Sequence, residues 1–313
     1  MFDITAIGEI LIDLTQTGVS EGGIPVYTSF PGGAPANVAV AASKLGAKTA
    51  FIGKVGDDAF GRLLVDTVKE NNVCTDGMIV SKTANTTLAV VSVDGSGERN
   101  FAFYRRGFAD TLLSEDEISD ELLKNTRFLH FGSVSLTDEP SRSATLSSAQ
   151  RAKESATITY DPNYRESLWR DRDEAIEMMK RPLPMVDILK ISDEELPLLT
   201  DTDDAEKGTK MLRDTYGISL ILLTLGAKGA YYCMGDITGM CEGFKVKVAD
   251  TNGAGDTFFG AFLSGMARLG KYKPCELSED ELRELVIFSN KAASLTTSRH
   301  GAIPAMPTLS EMM

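Results

Sequence analysis

The chain has 313 residues, 42% of them apolar, and a formal net charge of −13. That size supports one large α/β domain or two smaller ones, and the acidic balance excludes a general nucleic-acid binder, whose phosphate contacts need a basic face. Only His130 and His300 are available for a histidine metal centre or triad, and Cys74, Cys233, Cys241 and Cys275 form no C-x-x-C pair, so they read as reduced cytosolic thiols rather than zinc ligands.

The first residues, "MFDITAIGEILIDL", carry acids and no basic leader, and no run of ~18 uncharged apolar residues follows, so neither a secretory signal nor a membrane span is expected. "FDITAIG" reads as a strand. Leu11 to Phe30 looks extended, with Asp13 placed where a carboxylate could accept two hydroxyl hydrogen bonds or merely face solvent. Pro31 to Asn37 then puts Gly32, Gly33 and the Asn37 amide at the entry to a helix over Pro35–Leu45, either to grip hydroxyls or simply to turn the chain. "KTAFIGKVG" is a strand, and Asp58 to Val73 a second amphipathic helix.

Thr86 to Tyr104 alternates with period two around a Gly-rich turn. With Leu11 to Phe30 it predicts a small antiparallel appendage, over about 11–30 and 86–105, fit for a lid or an oligomer contact. Ser114 and Glu117 form a capping box before a further helix, inside a charged run that reads as a solvated face. "RFLHFG", "TITYD", "VDILKI" and "SLILLT" are strands apolar on both faces, which suits a parallel sheet, and they make His130 a strand residue rather than a catalyst. Their alternation with helical segments, including one over Leu282–Leu295, predicts a doubly wound α/β sheet.

The chemistry-bearing residues cluster after these strands. Arg165, four residues beyond Asp161, carries a forked guanidinium suited to a phosphoryl group. Lys190 to Glu195, "KISDEE", offers acids for magnesium held through water, or mere decoration of a helix start. Thr224 to Gly229 is a small-residue turn fit for nucleotide phosphates. "DTNGAGD", Asp250 to Asp256, stands before an apolar helix carrying Phe258, Phe259, Phe262, Leu263, Met266 and Leu269 and stopped by Gly270. Small residues there leave backbone N–H groups open to an anion, and Asp256 beside them is either a helix cap or a base. Neither a G-x-x-x-x-G-K-[ST] loop nor a G-x-G-x-x-G after a strand occurs.

"GGAPANVAVAASKLG" and "DTNGAGDTFFGA", in this order and separation, resemble the two signatures of the ribokinase-like, or PfkB, sugar kinases, and the resemblance runs along essentially the whole chain. It implies a three-layer α/β ribokinase-like fold in a single kinase domain over 1–313, a β-sheet lid, and phosphoryl transfer from ATP to a sugar hydroxyl with Asp256 as base. By the same resemblance Gly253, Ala254 and Gly255 form the anion hole, and Thr224, Gly226 and Gly229 lie near the nucleotide phosphates. Asn290 and "HGAIPA" border the adenine, Asp13, Gly32, Gly33 and Asn37 hold the sugar, and Arg165 lies near substrate or phosphate. Glu195 matches a magnesium-linked Asn-x-x-Glu whose asparagine position is Ser192 here, and Asp250 matches a position used for potassium. "GERNFAFYRRGFADTLL" resembles the fructokinase branch, so fructose is the first expected substrate, with Phe103 and Arg105 beside it. Kinases of 2-keto-3-deoxygluconate carry tyrosine at the Phe103 position and use arginines such as Arg105 and Arg165 for the carboxylate. A cytoplasmic enzyme is expected, paired through its lid as a homodimer and binding neither nucleic acid nor membrane. A non-catalytic sugar or nucleotide sensor and a nicotinamide oxidoreductase are the alternatives from other classes.

Overall fold

A computed structural model of the chain describes residues 1–93 and 99–313, and the Gly-rich turn expected between Thr86 and Tyr104 falls largely outside them. In chain order the strands are β1 (Phe2–Ile7), β2 (Leu11–Val19), β3 (Pro25–Gly32), β4 (Thr49–Gly56), β5 (Val73–Ser81), β6 (Leu88–Val93), β7 (Arg99–Tyr104), β8 (Thr126–Gly132), β9 (Thr157–Asp161), β10 (Ile188–Ser192), β11 (Leu220–Thr224), β12 (Gly229–Met234) and β13 (Ile237–Glu242). The helices are α1 (Ala34–Lys44), α2 (Ala59–Glu70), α3 (Asp120–Lys124), α4 (Ser141–Ala152), α5 (Arg172–Lys180), α6 (Leu196–Thr200), α7 (Ala205–Tyr216), α8 (Ala254–Arg268), α9 (Glu279–Thr297) and α10 (Leu309–Met312).

The main sheet runs β13-β12-β11-β10-β9-β8-β1-β4-β5, parallel except where β12 and β13 pair antiparallel at one end. Its central strands are buried on both faces, as their unbroken apolar runs require. Leu220 and Leu222 of β11 pack with Phe258, Phe262 and Leu285 on the side of α1, α8 and α9, whereas Ile221 and Leu223 pack with residues of α4, α5 and α7 on the other. This period-two division of one strand between two cores makes the three layers.

The second sheet, β3-β2-β6-β7, corrects one expectation. Its two hairpins are antiparallel, but β2 pairs with β6 in parallel, with Ile12 opposite Leu88 and Thr15 opposite Val91. The strands are separated in sequence by β3, α1, β4, α2 and β5, and so long a crossover permits a parallel pair that a tight turn would forbid. β5 and the β12–β13 hairpin were also not anticipated. β5, "VCTDGMIVS", is an edge strand whose Asp76 and Gly77 break the apolar run. The Ser114–Glu117 box is present but caps only a 3₁₀ turn, Glu115–Glu117; the Glu117 carboxylate also accepts from Lys54 Nζ at 2.6 Å, and Ser119 caps α3 separately.

Candidate active site

The C-terminal ends of β9, β10 and β11 and the start of α8 enclose a cavity of about 750 Å³. Open α/β sheets bind ligands in the crevice outside the carboxyl ends of their strands. Arg165, Glu195, Thr224, Gly226, Gly229, Gly253, Ala254, Gly255, Asp256 and Asn290 all line it.

Asp256 is the third residue of α8 and is 7% exposed. Asn37 Nδ2 donates to its Oδ2 at 2.8 Å and Asn163 Nδ2 to its Oδ1 at 3.0 Å. Two amide donors from different elements fix the carboxylate plane while leaving lone pairs for a substrate hydroxyl. The first N–H groups of α8, Ala254 to Asp256, have no acceptor within the helix, and the helix dipole adds partial positive charge there. Gly253 starts this turn at φ 74°, and a Cβ on it would meet the Ala302 Cβ at 2.8 Å, so glycine is needed both for conformation and for space.

Behind the helix start lies an ion pair. Lys190 Nζ donates to Asp161 Oδ2 at 2.9 Å, with both residues buried, and it lies 3.0 Å from where a Gly255 Cβ would stand. Burial works against the ammonium, yet the carboxylates of Asp161 and Glu195 hold its pKa above the ordinary lysine range. The N-terminal end of α8 therefore has an ammonium group, paired with Asp161, at its wall. Asp161 Oδ1 also accepts from Asn163 N at 3.2 Å, helping to hold Asn163 at φ 53° with its amide toward Asp256.

Asp13 lies opposite the turn before α1. A Cβ on Gly32 would come within 2.6 Å of Asp13 Oδ2, so only glycine leaves room for that carboxylate. Burial pushes Asp13 up to about 6, against the lowering effect of Arg165, while Asp250 and Asp256 raise it further. Asp13 and Gly32 thus meet at the base of the second sheet and Asn37 reaches Asp256 from α1, but neither these three nor Gly33 lines the cavity itself.

Glu195 accepts from Tyr164 N at 2.7 Å and from Ser192 N at 2.8 Å, which ties the segment after β9 to the end of β10. Among the described residues no three His, Cys, Asp or Glu side chains form a ready metal cage. The carboxylates of Asp193, Glu194 and Glu195 at the cavity wall fit a divalent ion that arrives on nucleotide phosphates and is held through water, but not a resident one. Asp250 accepts from Asn252 N and from Gly301 N, both at 3.1 Å, and so clamps the loop before Gly253. Asn290 lines the cavity while its Nδ2 donates to the carbonyls of Cys241 and Glu242, holding the end of β13.

Phe103 and Arg105 are not brought to this cavity. They line a separate one of about 480 Å³ with Arg106, Thr137 and Trp169. Arg105 is 4% exposed, and its Nε donates to Asp110 Oδ2 at 2.7 Å, its Nη2 to Val134 O at 2.9 Å and its Nη1 to Thr137. Arg105 is thus braced within the protein, beside a cavity other than the one Asp256 lines. His130 is 1% exposed, edge-on to Phe259 at 5.1 Å, and burial, helped by Lys190, drives it down to about 3, so it is a neutral strand residue.

Sequence inspection missed Asn163 and Lys190 as members of the site. Asn163 was hidden inside a turn, where asparagine is common for other reasons. Lys190 left a usable signal: it is a lone charge in the buried strand "ILKIS".

Residues 1–309 match the pfkB family carbohydrate kinase profile. Fructokinase-1 of Zea mays is 42% identical over 313 residues, covering 99% of this chain and 96% of the relative. The crystal structure of a fructokinase from Xylella fastidiosa with bound ATP superimposes with a TM-score of 0.92 at 32% identity, covering 99% of this chain and 96% of that one. A fructokinase from Vibrio cholerae O395 holding fructose, ADP and a calcium ion superimposes with a TM-score of 0.88, also at 32% identity, covering 99% and 98%.

Proposed function

The chain belongs to the pfkB family of carbohydrate kinases, and we propose that it transfers the terminal phosphoryl group of ATP to D-fructose, giving fructose 6-phosphate, with Asp256 as general base. The observation that carries the mechanism is the Asp256 carboxylate at the mouth of the α8 anion hole, oriented from two sides by Asn37 and Asn163.

Asp256 takes the proton of the attacking sugar hydroxyl as the new O–P bond forms and the bond to the ADP oxygen breaks. The free N–H groups of Gly255 and Asp256 and the Lys190 ammonium face the charge of the transferring group, and Arg165 lies beside it. Such transfer is mostly positioning and charge stabilisation, so an N–H donor is worth roughly 10²- to 10³-fold and the base roughly 10²- to 10⁴-fold. Asp13 accepts sugar hydroxyls, and Gly32, Gly33 and Asn37 line that side. Thr224, Gly226 and Gly229 border the nucleotide phosphates and Asn290 the base. Magnesium on the nucleotide would neutralise phosphate charge, held through water by Glu195 and its neighbours. Potassium would sit by the Asp250 clamp.

The second sheet acts as a lid that excludes water. Its edge strand β3 exposes Val26 and Tyr27, with Val19 and Ile24 exposed nearby, and a homodimer would cover them. Four free thiols suit the reducing cytoplasm, and no described helix is long and apolar enough to cross a membrane. A keto-acid substrate is disfavoured because Arg105 is already bound to Asp110.

ADP release from ATP and magnesium with fructose, 2-keto-3-deoxygluconate, ribose, glucose and adenosine tests the substrate. Asp256→Asn should fold and bind fructose normally but lose roughly 10³-fold in kcat. Near-normal turnover by that variant would remove Asp256 from the role of base.

A further inference from the structure

Glu9 follows β1 and is 3% exposed, yet it lines neither cavity. Its Oε1 accepts from Ala34 N, the first residue of α1, at 3.1 Å, while its buried Oε2 has no hydrogen-bond partner. Burial pushes the carboxyl up to about 7, with Arg105 pulling it down and Asp110 pushing it up. A carboxyl kept in such a place costs stability, because one oxygen loses its water and gains nothing.

The surroundings give that cost a use. The start of β2, the end of β3, the start of β6 and the end of β7 lie in register just beyond Glu9, with Leu11 opposite Gly32, Ile12 opposite Leu88 and Leu88 opposite Tyr104. Thr87 donates to Asp110, Asp110 accepts from Arg105, and Arg105 reaches the turn after β8. On the other side of Glu9, α1 begins, and three residues after Ala34 it presents Asn37 to Asp256.

We propose that Glu9 is a positioning residue that couples the root of the second sheet to the start of α1, and through Asn37 holds the Asp256 carboxylate in its working orientation. The inference rests on Asp256 being the base, and it adds a residue that touches neither substrate nor the reacting atoms. Displacing Asn37 by a fraction of an ångström would tilt the base away from the sugar hydroxyl while leaving the nucleotide side of the cleft alone.

The test is Glu9→Met, which keeps length and bulk but removes the acceptor and the charge. We expect an unchanged or higher Tm, a kcat roughly 10-fold lower, and an unchanged KM for ATP. A residue that served folding alone would shift Tm downward and leave kcat in place, so the two signs separate the roles. Combined with Asn37→Ala, Glu9→Met should cost nothing more, because both act on one carboxylate. Glu9→Leu also removes the acceptor and the charge at similar bulk, and should reproduce the loss. It decides the matter if Glu9→Met does not fold. A kcat within about twofold of the parent in the folded variant, a fall in Tm with kcat intact, or costs of Glu9→Met and Asn37→Ala that multiply would each overturn the assignment. Asp256→Asn measured alongside keeps the two ideas apart: if it retains turnover the base is wrong, and if it is inactive while Glu9→Met is normal only the positioning role fails.

Discussion

Replacing Lys190 with methionine removes the positive charge at the wall of the anion hole while preserving the side chain's length. The ammonium lies 3.0 Å from the Cβ position of Gly255, so it is close to any anion held by the first amides of α8. A unit charge about 4 Å away is worth ~4 kcal/mol at an effective dielectric near 20. Asp161, at 2.9 Å from the ammonium, cancels part of that field. If half survives and acts on charge that develops only in the transition state, the barrier rises by about 2 kcal/mol and kcat falls roughly 30-fold. Removing one partner of a buried pair also costs stability, so Lys190→Met should unfold at lower temperature, and adding Asp161→Asn should recover part of the loss. ADP release under saturating fructose and ATP measures kcat, and thermal unfolding of the same samples measures the structural cost. A folded Lys190→Met with kcat within about threefold of the parent would refute the electrostatic role. Recovery of rate together with stability in the double variant would show that the lysine matters only as Asp161's partner.

Three further outcomes are expected. Gly253→Ala must place a side chain at φ 74° and 2.8 Å from the Ala302 Cβ, so it should lose at least about 1–2 kcal/mol of stability and raise the KM for ATP, seen by chemical denaturation and initial rates. Arg105→Lys leaves Asp110 with a poorer partner, so Tm should fall while the fructose KM of the folded enzyme stays within about threefold; a large KM rise at unchanged Tm would restore Arg105 to the substrate site. Glu9 is raised from 4.5 to about 7, so the folded state holds its proton more tightly than the unfolded chain, and stability falls as pH rises between those values. The loss is complete above pH 7 and of order 3 kcal/mol, so Glu9→Met should raise Tm more at pH 8 than at pH 5. An equal gain at both would mean that Glu9 does not titrate across this window.

The layered fold was legible because it rests on local pattern. Unbroken apolar strands such as "LILLT" and helices punctuated by Pro35, Gly46 and Gly270 state their own periodicity. β5 escaped because an edge strand need not be apolar, and the parallel joint between β2 and β6 escaped because pairing across β3, α1, β4, α2 and β5 leaves no trace in either strand. The helix start at Gly253 to Asp256 could likewise be read from residue type alone, since small residues before an apolar helix expose N–H groups wherever they occur.

What surrounds Asp256 depended on the tertiary structure. Asn37 stands 219 residues away along the chain and Asn163 stands 93 away, yet both donate to one carboxylate. Lys190 becomes an anion-hole charge, and Arg105 a brace beside another cavity, only once the sheet order sets which strand ends are neighbours. Local sequence determined which groups the protein has and which elements carry them. Packing decided which groups meet, because hydrogen bonds and charges act over a few ångströms of space, whatever the separation along the chain.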